Sequence, residues 1–560
     1  MNQRPKEKKK KRSRQEGDAS SSLSSSLKGE PNVQKTGSAE RLTQGVGIGV
    51  VVALLLLAGF VLRSIALDIK PSHFDEGING NFVAKMWQDG YYRYDPTNFH
   101  GPLYFYFLLF SEMFFGRGIV GFRLVNGLIS LASIFLVIKH RRFVGNGAVW
   151  AAAMLALSTG SIFYSRYAIH ESLFIFLQIL FSLGWFLWES ERSRRSIVMM
   201  VIGFFGTFAV KETYFIFFVV WFIAVYATKI WTRWRGEKLA PLPVLPVVDA
   251  SETARENDFW RTRATNSFIA LASLAGVLAT VVLYTGFFIY PHGLIDMFQS
   301  VAFWVKTGTG HSGHEKPFVY WLQLLLRYEV PGLIALLMSL PMFLMSRKGP
   351  IRVLSLVAFG TWLAYSIIPY KTPWLILNLL WPLAFVFGEQ AAFLRQQRFM
   401  KLGVLRWLVL VVPLVWSLNR MQRLNFHDFT NEREPYVYVQ STMTMKTTLD
   451  YVAARVRKFP EDLNMNLKVL VRDPWPLPWI FGHYPHLAYG RADINDLSGS
   501  DLVLIDGVDQ TVIETKLPGR FWRVPFQIRD SYEKGFAYLQ YEKFKGIVPE
   551  NAEVFEGAAR

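Results

Sequence analysis

The stretch "GPLYFYFLLFSEMFFG", residues 101–116, decides how this chain is threaded. It is aromatic and aliphatic almost throughout, yet it carries Glu112 and falls short of the roughly 20 apolar residues that a bilayer crossing needs. Counted as a crossing, it sends "KHRR" (139–142) and most later basic clusters outside, although Lys and Arg favour cytoplasmic loops. Read as an aromatic amphipathic helix lying in the interface, it leaves every basic cluster inside. We adopt the interfacial reading.

Working outward, long apolar runs recur at 45–67, 119–138, 146–164, 172–188, 266–290, 328–346, 351–369, 374–393 and 402–418. The run 197–231 has room for two short tilted crossings, broken by "KET" at 211–213. The fold class expected is an all-α polytopic membrane protein of about eleven transmembrane helices with a small C-terminal α/β domain. Composition agrees: of 560 residues, 51% are hydrophobic and 16% aromatic. The net charge of +18 gathers in the N-terminal tail and in "KHRR", "ERSRR" (191–195), "KIWTRWRGEK" (229–238), "RKGPIR" (347–352) and "RQQRFMK" (395–401). That distribution follows the positive-inside rule rather than a nucleic-acid footprint, so no nucleic-acid partner is expected. The chain has no cysteine, which excludes disulfides, thiolate metal sites and cysteine nucleophiles.

Residues 1–43 are Ser-rich and Lys/Arg-rich and are expected to form a disordered basic cytoplasmic tail before an uncleaved first span. The transmembrane domain is expected over 44–425, with an outer loop at 68–118 and a Pro-rich cytoplasmic loop at 232–264. Residues 426–560 read as an extracytoplasmic α/β domain. "TMTMKTTLDYVAARVRKF" (442–459) has helical periodicity, "LKVLVRD" (467–473) and "DLVLIDG" (501–507) look like buried strands, and "FWRVPFQIRD" (521–530) like a later one. No P-loop, GxGxxG, HExxH or GxSxG element stands in strand–helix context, so nucleotide binding and standard hydrolase chemistry lack support.

The same threading puts "SHFDEGING" (72–80), "SRYAIHES" (165–172), "KET", the loop 291–327 and "YKTPW" (370–374) on one outer face. Ionisable residues at membrane depth are functional candidates. Asp75 suits a catalytic base, since a carboxylate in a wet cleft can take a proton from an acceptor hydroxyl. It equally suits a helix start, where acids favour the positive end of the dipole. Glu76 could orient Asp75, contact an acceptor, or cap the following helix. Arg166, Lys211 and Lys371 could hold a phosphate or simply snorkel. His100, His170 and Glu171 suit acceptor or metal contacts. In the Gly/His-rich part of 291–327, which reads as a lid or re-entrant segment, His311, His314 and Glu315 are candidate metal ligands without specific spacing.

In this order the residues resemble a GT-C glycosyltransferase. Asp75-Glu76 matches that fold's acidic pair after the first helix, "FHGPL" (99–103) its His/Lys-Pro-Pro-Leu-Gly element, and "SRYAIHES" its second acidic loop. The nearest likeness is to the dolichyl-phosphate-mannose–protein mannosyltransferase-like superfamily, which includes lipid A aminoarabinose transferases. Within it, "HFDEG", "SRYAIHE", "YKTPWL" and "NEREPYVYVQ" (431–440) are similar to a prokaryotic subgroup named for association with flippase activity. The resemblance covers most of 45–445. It implies a multi-pass cell-membrane enzyme, N-terminus cytoplasmic, that moves a sugar with inversion from a polyprenyl-phosphate donor to a protein, lipid or glycan acceptor outside. It further implies Asp75 as base, Glu76 and Glu171 as the other acids of the site, and Arg166, Lys211 and Lys371 on the donor phosphate. His100, His170 and His314 would then serve the acceptor or a lid, and a divalent metal is a candidate cofactor. "HGP" in place of a doubled proline and His170 before the second acid depart from the pattern. The rival readings are a non-catalytic lipid-flippase partner, a transporter or a scaffold, and a glycan polymerase or ligase. One-sided clustering of the charges speaks against transport, because transporters place polar sites near the midplane.

Overall fold

A computed structural model describes residues 33–242, 254–309, 313–396, 403–490 and 497–557. The expected tail at 1–43 lies largely outside the described residues, as do His311 and part of the loop 232–264. The chain divides at Val52: the described residues before it belong to the start of a helix, Val33–Ser64, and Val52–Arg560 form the second unit.

Apolar helices dominate as far as Phe426, and a sheet domain follows. Among the described residues, seven helices are long and apolar enough to cross a membrane, or eight if Gly147–Leu157 and Thr159–Ser165, bent by 57°, count as one span. The chain is a membrane protein. Three of the expected spans are not among these helices, at Arg194–Phe208, Val330–Met345 and Gly403–Phe426. Arg194–Phe208 has 15 residues and Val330–Met345 has 16, so neither alone reaches the length of a full crossing. The deciding segment is a helix, Leu103–Phe115, of 13 residues, about 20 Å long and well short of a 30 Å core. Its acid, Glu112, is buried and accepts a hydrogen bond from Trp87 Nε1 (3.0 Å), while Phe110, Met113, Phe114 and Phe115 stay exposed.

The bent pair shows how buried charge serves the fold. Where the ladder breaks at Ser158, the carbonyls of Leu155 and Ala156 lose their helical partners. The buried Arg63 guanidinium donates to both (3.0 and 3.2 Å) and also to Ser130 and Ser161.

The C-terminal domain is built on one sheet. Its strands are β1 (Leu467–Leu470), β2 (Leu487–Tyr489), β3 (Leu502–Ile505), β4 (Arg520–Phe526), β5 (Gly535–Gln540) and β6 (Glu553–Glu556), in the order β2-β1-β3-β5-β4-β6. β1 runs parallel to β2 and β3, and the other pairs are antiparallel. The helix Met443–Lys458 appears where its periodicity places it, and β1, β3 and β4 coincide with the expected strands.

The short helix Leu477–Phe481 seats this domain on the helix Phe74–Asp89. Trp479 lies against Gly80 of the helix Phe74–Asp89 and stacks on Phe122 (5.3 Å, 11°), and Pro476 lies against Gly77. A Cβ on Gly80 would stand 2.3 Å from the indole. Gly80→Leu is therefore expected to cost about 1–3 kcal/mol by overpacking. Limited proteolysis should release the 426–560 region faster from this variant than from wild type.

Candidate active site

The sequence around the acidic pair builds a helix start. His73 caps Phe74–Asp89: its Nδ1 accepts from Asp75 N–H (3.1 Å), while the Glu76 carboxylate accepts from His73 N–H (2.8 Å). This reciprocal arrangement is a capping box with histidine in the usual Ser/Thr place. Glu76 also takes two hydrogen bonds from Arg123 (2.8 and 2.6 Å) and one from Ala168 N–H (2.9 Å), with both ionic side chains wholly buried. Burial pushes its carboxyl up, but the Arg123 charge and these hydrogen bonds outweigh that and hold it below the usual range.

Asp75, one residue earlier, points elsewhere. Its carboxylate has no hydrogen bond or ion pair among the described residues, and it lines a cleft of about 230 Å³. Facing the same cleft are His100, His170, Glu171, Lys211, Glu212 and His314, with Tyr370 and Trp374 as aromatic walls. Lys211 forms a buried ion pair with Glu171. Burial lowers the Lys211 pKa, yet Glu171, Glu212 and Asp75 raise it further, leaving a firmly charged ammonium. His100 Nδ1 pairs with Glu212 (2.8 Å), and burial drives Glu212 up while His100 and Lys211 bring it below its usual range. His170 packs on His100 (4.4 Å between ring centres), its Nε2 without a partner among the described residues. Burial, then His100 and Lys211, push His170 well down, so it is neutral. His314 meets Tyr438 OH at 2.5 Å.

The backbone explains how distant loops meet here. Gly101 N–H donates to Val210 O (3.1 Å) and Leu103 N–H to Ala209 O (2.9 Å), which pins "FHGPL" to the "KET" turn. A Cβ on Gly101 would stand 2.2 Å from Ala209 O, so only glycine allows the approach that sets His100 on Glu212.

Three of the expected site residues do not line this cleft. Glu76 is not in the cleft; of its three sequence readings, capping is the one its hydrogen bonds match. Arg166 is outside the cleft as well. Its guanidinium donates to the carbonyls of Leu62, Ile65 and Ala66 (3.2, 2.6 and 2.9 Å), closing the end of the first helix. Lys371 donates to the carbonyls of Lys316 and Ile368, and its N–H to His314 O (3.0 Å), so it tethers the segment that carries His314. Among the described residues no group of three or more His, Asp or Glu is placed to hold a metal ion, so the residues present do not fit a metal centre. Two participants escaped the sequence reading. Glu212 stood in plain view beside Lys211, and Arg123 was one apolar-run arginine with no local signal.

No protein-family model matches this sequence, and no curated protein matches it. Solved structures do resemble it. ArnT from Cupriavidus metallidurans bound to undecaprenyl phosphate is 13% identical, with TM-score 0.56 over 89% of this chain and 99% of its own. The same protein in the apo state gives 12% identity and TM-score 0.57 over 90% and 99%. The archaeal oligosaccharyltransferase AglB from Archaeoglobus fulgidus, in complex with an inhibitory peptide and a dolichol-phosphate, gives 12% identity and TM-score 0.48 over 90% of this chain and 75% of its own. At this identity the likeness to ArnT establishes a shared fold, the GT-C fold.

Proposed function

We propose that this protein is a membrane glycosyltransferase that moves a sugar from a polyprenyl-phosphate donor to an acceptor hydroxyl on the extracytoplasmic face, with inversion. The observation that carries the reading is the unpaired Asp75 carboxylate in a cleft it shares with the buried Lys211 ammonium. A proton acceptor and a fixed cation are what such a transfer needs, and the ArnT structure with undecaprenyl phosphate supports a lipid phosphate in this fold. The subgroup likeness, the mannosyltransferase-like class, the cytoplasmic N-terminus and the outer position of 426–560 belong to the same proposal.

The acceptor oxygen attacks the anomeric carbon as its proton passes to Asp75. The bond from that carbon to the phosphate oxygen breaks, and its electron pair stays on the phosphate. A phosphate leaves as a stable anion, so no general acid is required. Lys211 is the cation suited to stabilise that charge, with Glu171 holding its ammonium in position. The neutral His170 and the His100–Glu212 pair are placed to orient acceptor or sugar hydroxyls.

The test is release of polyprenyl phosphate from a polyprenyl-phosphate sugar by the full chain in lipid vesicles, with a nucleotide sugar as control. Release from the lipid donor alone supports the reading. Release from neither places a non-catalytic flippase partner or scaffold ahead of it. Removing Lys211 alone strands Glu171, so Lys211→Met is best combined with Glu171→Gln. The double variant is expected to fold and to lose about 10²–10³ in donor turnover, the usual cost of one preorganised charge stabiliser.

A further inference from the structure

We propose that the C-terminal domain holds a second cavity, of about 380 Å³, that binds a neutral glycan segment of the acceptor beside the catalytic cleft. The proposal rests on the glycosyltransferase reading and names its acceptor class.

The cavity opens at the carboxyl ends of the parallel strands β1 and β3. The chain leaves β1 toward β2 on one side of the sheet order and leaves β3 toward β4 on the other. Loops that diverge from adjacent parallel strands leave a crevice between them, the place where open α/β sheets bind ligands. Its volume lies within the roughly 300–1,000 Å³ of small-molecule sites.

The lining selects among ligands. Ile505, Phe526 and Ile528 give an apolar floor, and Asp473, Tyr532 and Glu533 give a polar rim. Carboxylates and a phenol over an apolar floor match a sugar ring, which is apolar on its faces and hydroxylated at its edge. Asp473, Asp506 and Glu533 outnumber Arg472 and the Arg529 that pairs with Asp473, which disfavours a phosphate or another anion. A metal ion is not the alternative, because no three ligands are placed for one among the described residues.

Position links this cavity to the first. The Asp473 carboxylate accepts from Tyr532 OH (2.6 Å) and from Arg529 (3.3 Å). The Arg529 guanidinium in turn lies 4.3 Å from the ring centre of Phe74, which lines the catalytic cleft next to Asp75. Thr442 N–H, three residues beyond the cleft residue Val439, donates to Ile528 O (3.0 Å). These contacts connect the wall of the second cavity to the lining of the first.

Saturation-transfer NMR on the full chain in nanodiscs, with mannotriose, chitotriose and maltotriose as probes, tests this. At least one is expected to bind wild type and Asp75→Asn alike. Glu533→Gln should weaken it about ten-fold, the loss of one charged hydrogen bond, and Val508→Trp, which fills the cavity from its exposed rim, should abolish it. No binding by any probe, binding untouched by Val508→Trp, or binding of a lysine tripeptide or inorganic phosphate in the same cavity instead, overturns the proposal. Saccharide binding without donor turnover by wild type would leave the glycan site standing and remove the transferase.

Discussion

Asp75→Asn is expected to lower sugar transfer by about 10²–10⁴-fold, the contribution of a positioned general base. Asparagine keeps the shape of the carboxylate and removes its basicity. The effect should be chemical rather than structural, because the Asp75 carboxylate makes no hydrogen bond or ion pair that the fold would miss among the described residues. Melting temperature and donor affinity should stay within error of wild type while the transfer rate collapses. Asp75→Glu should recover part of the rate, since the base returns but its oxygens are displaced.

The neighbouring acid predicts the opposite pattern. Glu76 and Arg123 are both fully buried, and removing one strands the other in an apolar setting. Arg123→Ala or Glu76→Ala is expected to cost about 3–5 kcal/mol of stability, read as early thermal unfolding in detergent, with activity lost through the fold. Glu76→Gln with Arg123→Met should be much milder, since no unpaired charge remains. The pair also sets an acid limit. The folded pKa of Glu76 lies below its unfolded value, so its stabilisation is complete above the unfolded carboxylate range and fades as pH falls through the lower folded value. The double variant should lack that part of the acid limb.

Two adjacent carboxylates with opposite duties explain how much the sequence could reveal. "DEG" after a first span marked the place, and the shortness of 101–116 matches a helix of 13 residues, below the length of a crossing. Which acid faced the cleft depended on Arg123, 47 positions from Glu76, and no local pattern announces such a pair. Arg166 and Lys371 stand outside the cleft for a related reason. A guanidinium or ammonium that binds backbone carbonyls and one that grips a phosphate use the same N–H donors, so only the position of the carbonyls separates them. In the sheet domain the buried runs of β1 and β3 were legible, whereas β2 and β6, with three and four residues, are too short to carry a period. Two of the expected spans appear as helices of 15 and 16 residues inside longer apolar runs.

The most direct measurement is single-turnover cleavage of a polyprenyl-phosphate sugar by wild type and Asp75→Asn in the same vesicles, with donor binding measured alongside. Asp75 as the base of a glycosyl transfer requires equal donor binding and a rate at least about a hundred-fold slower in the variant. Equal rates in the two proteins would contradict it.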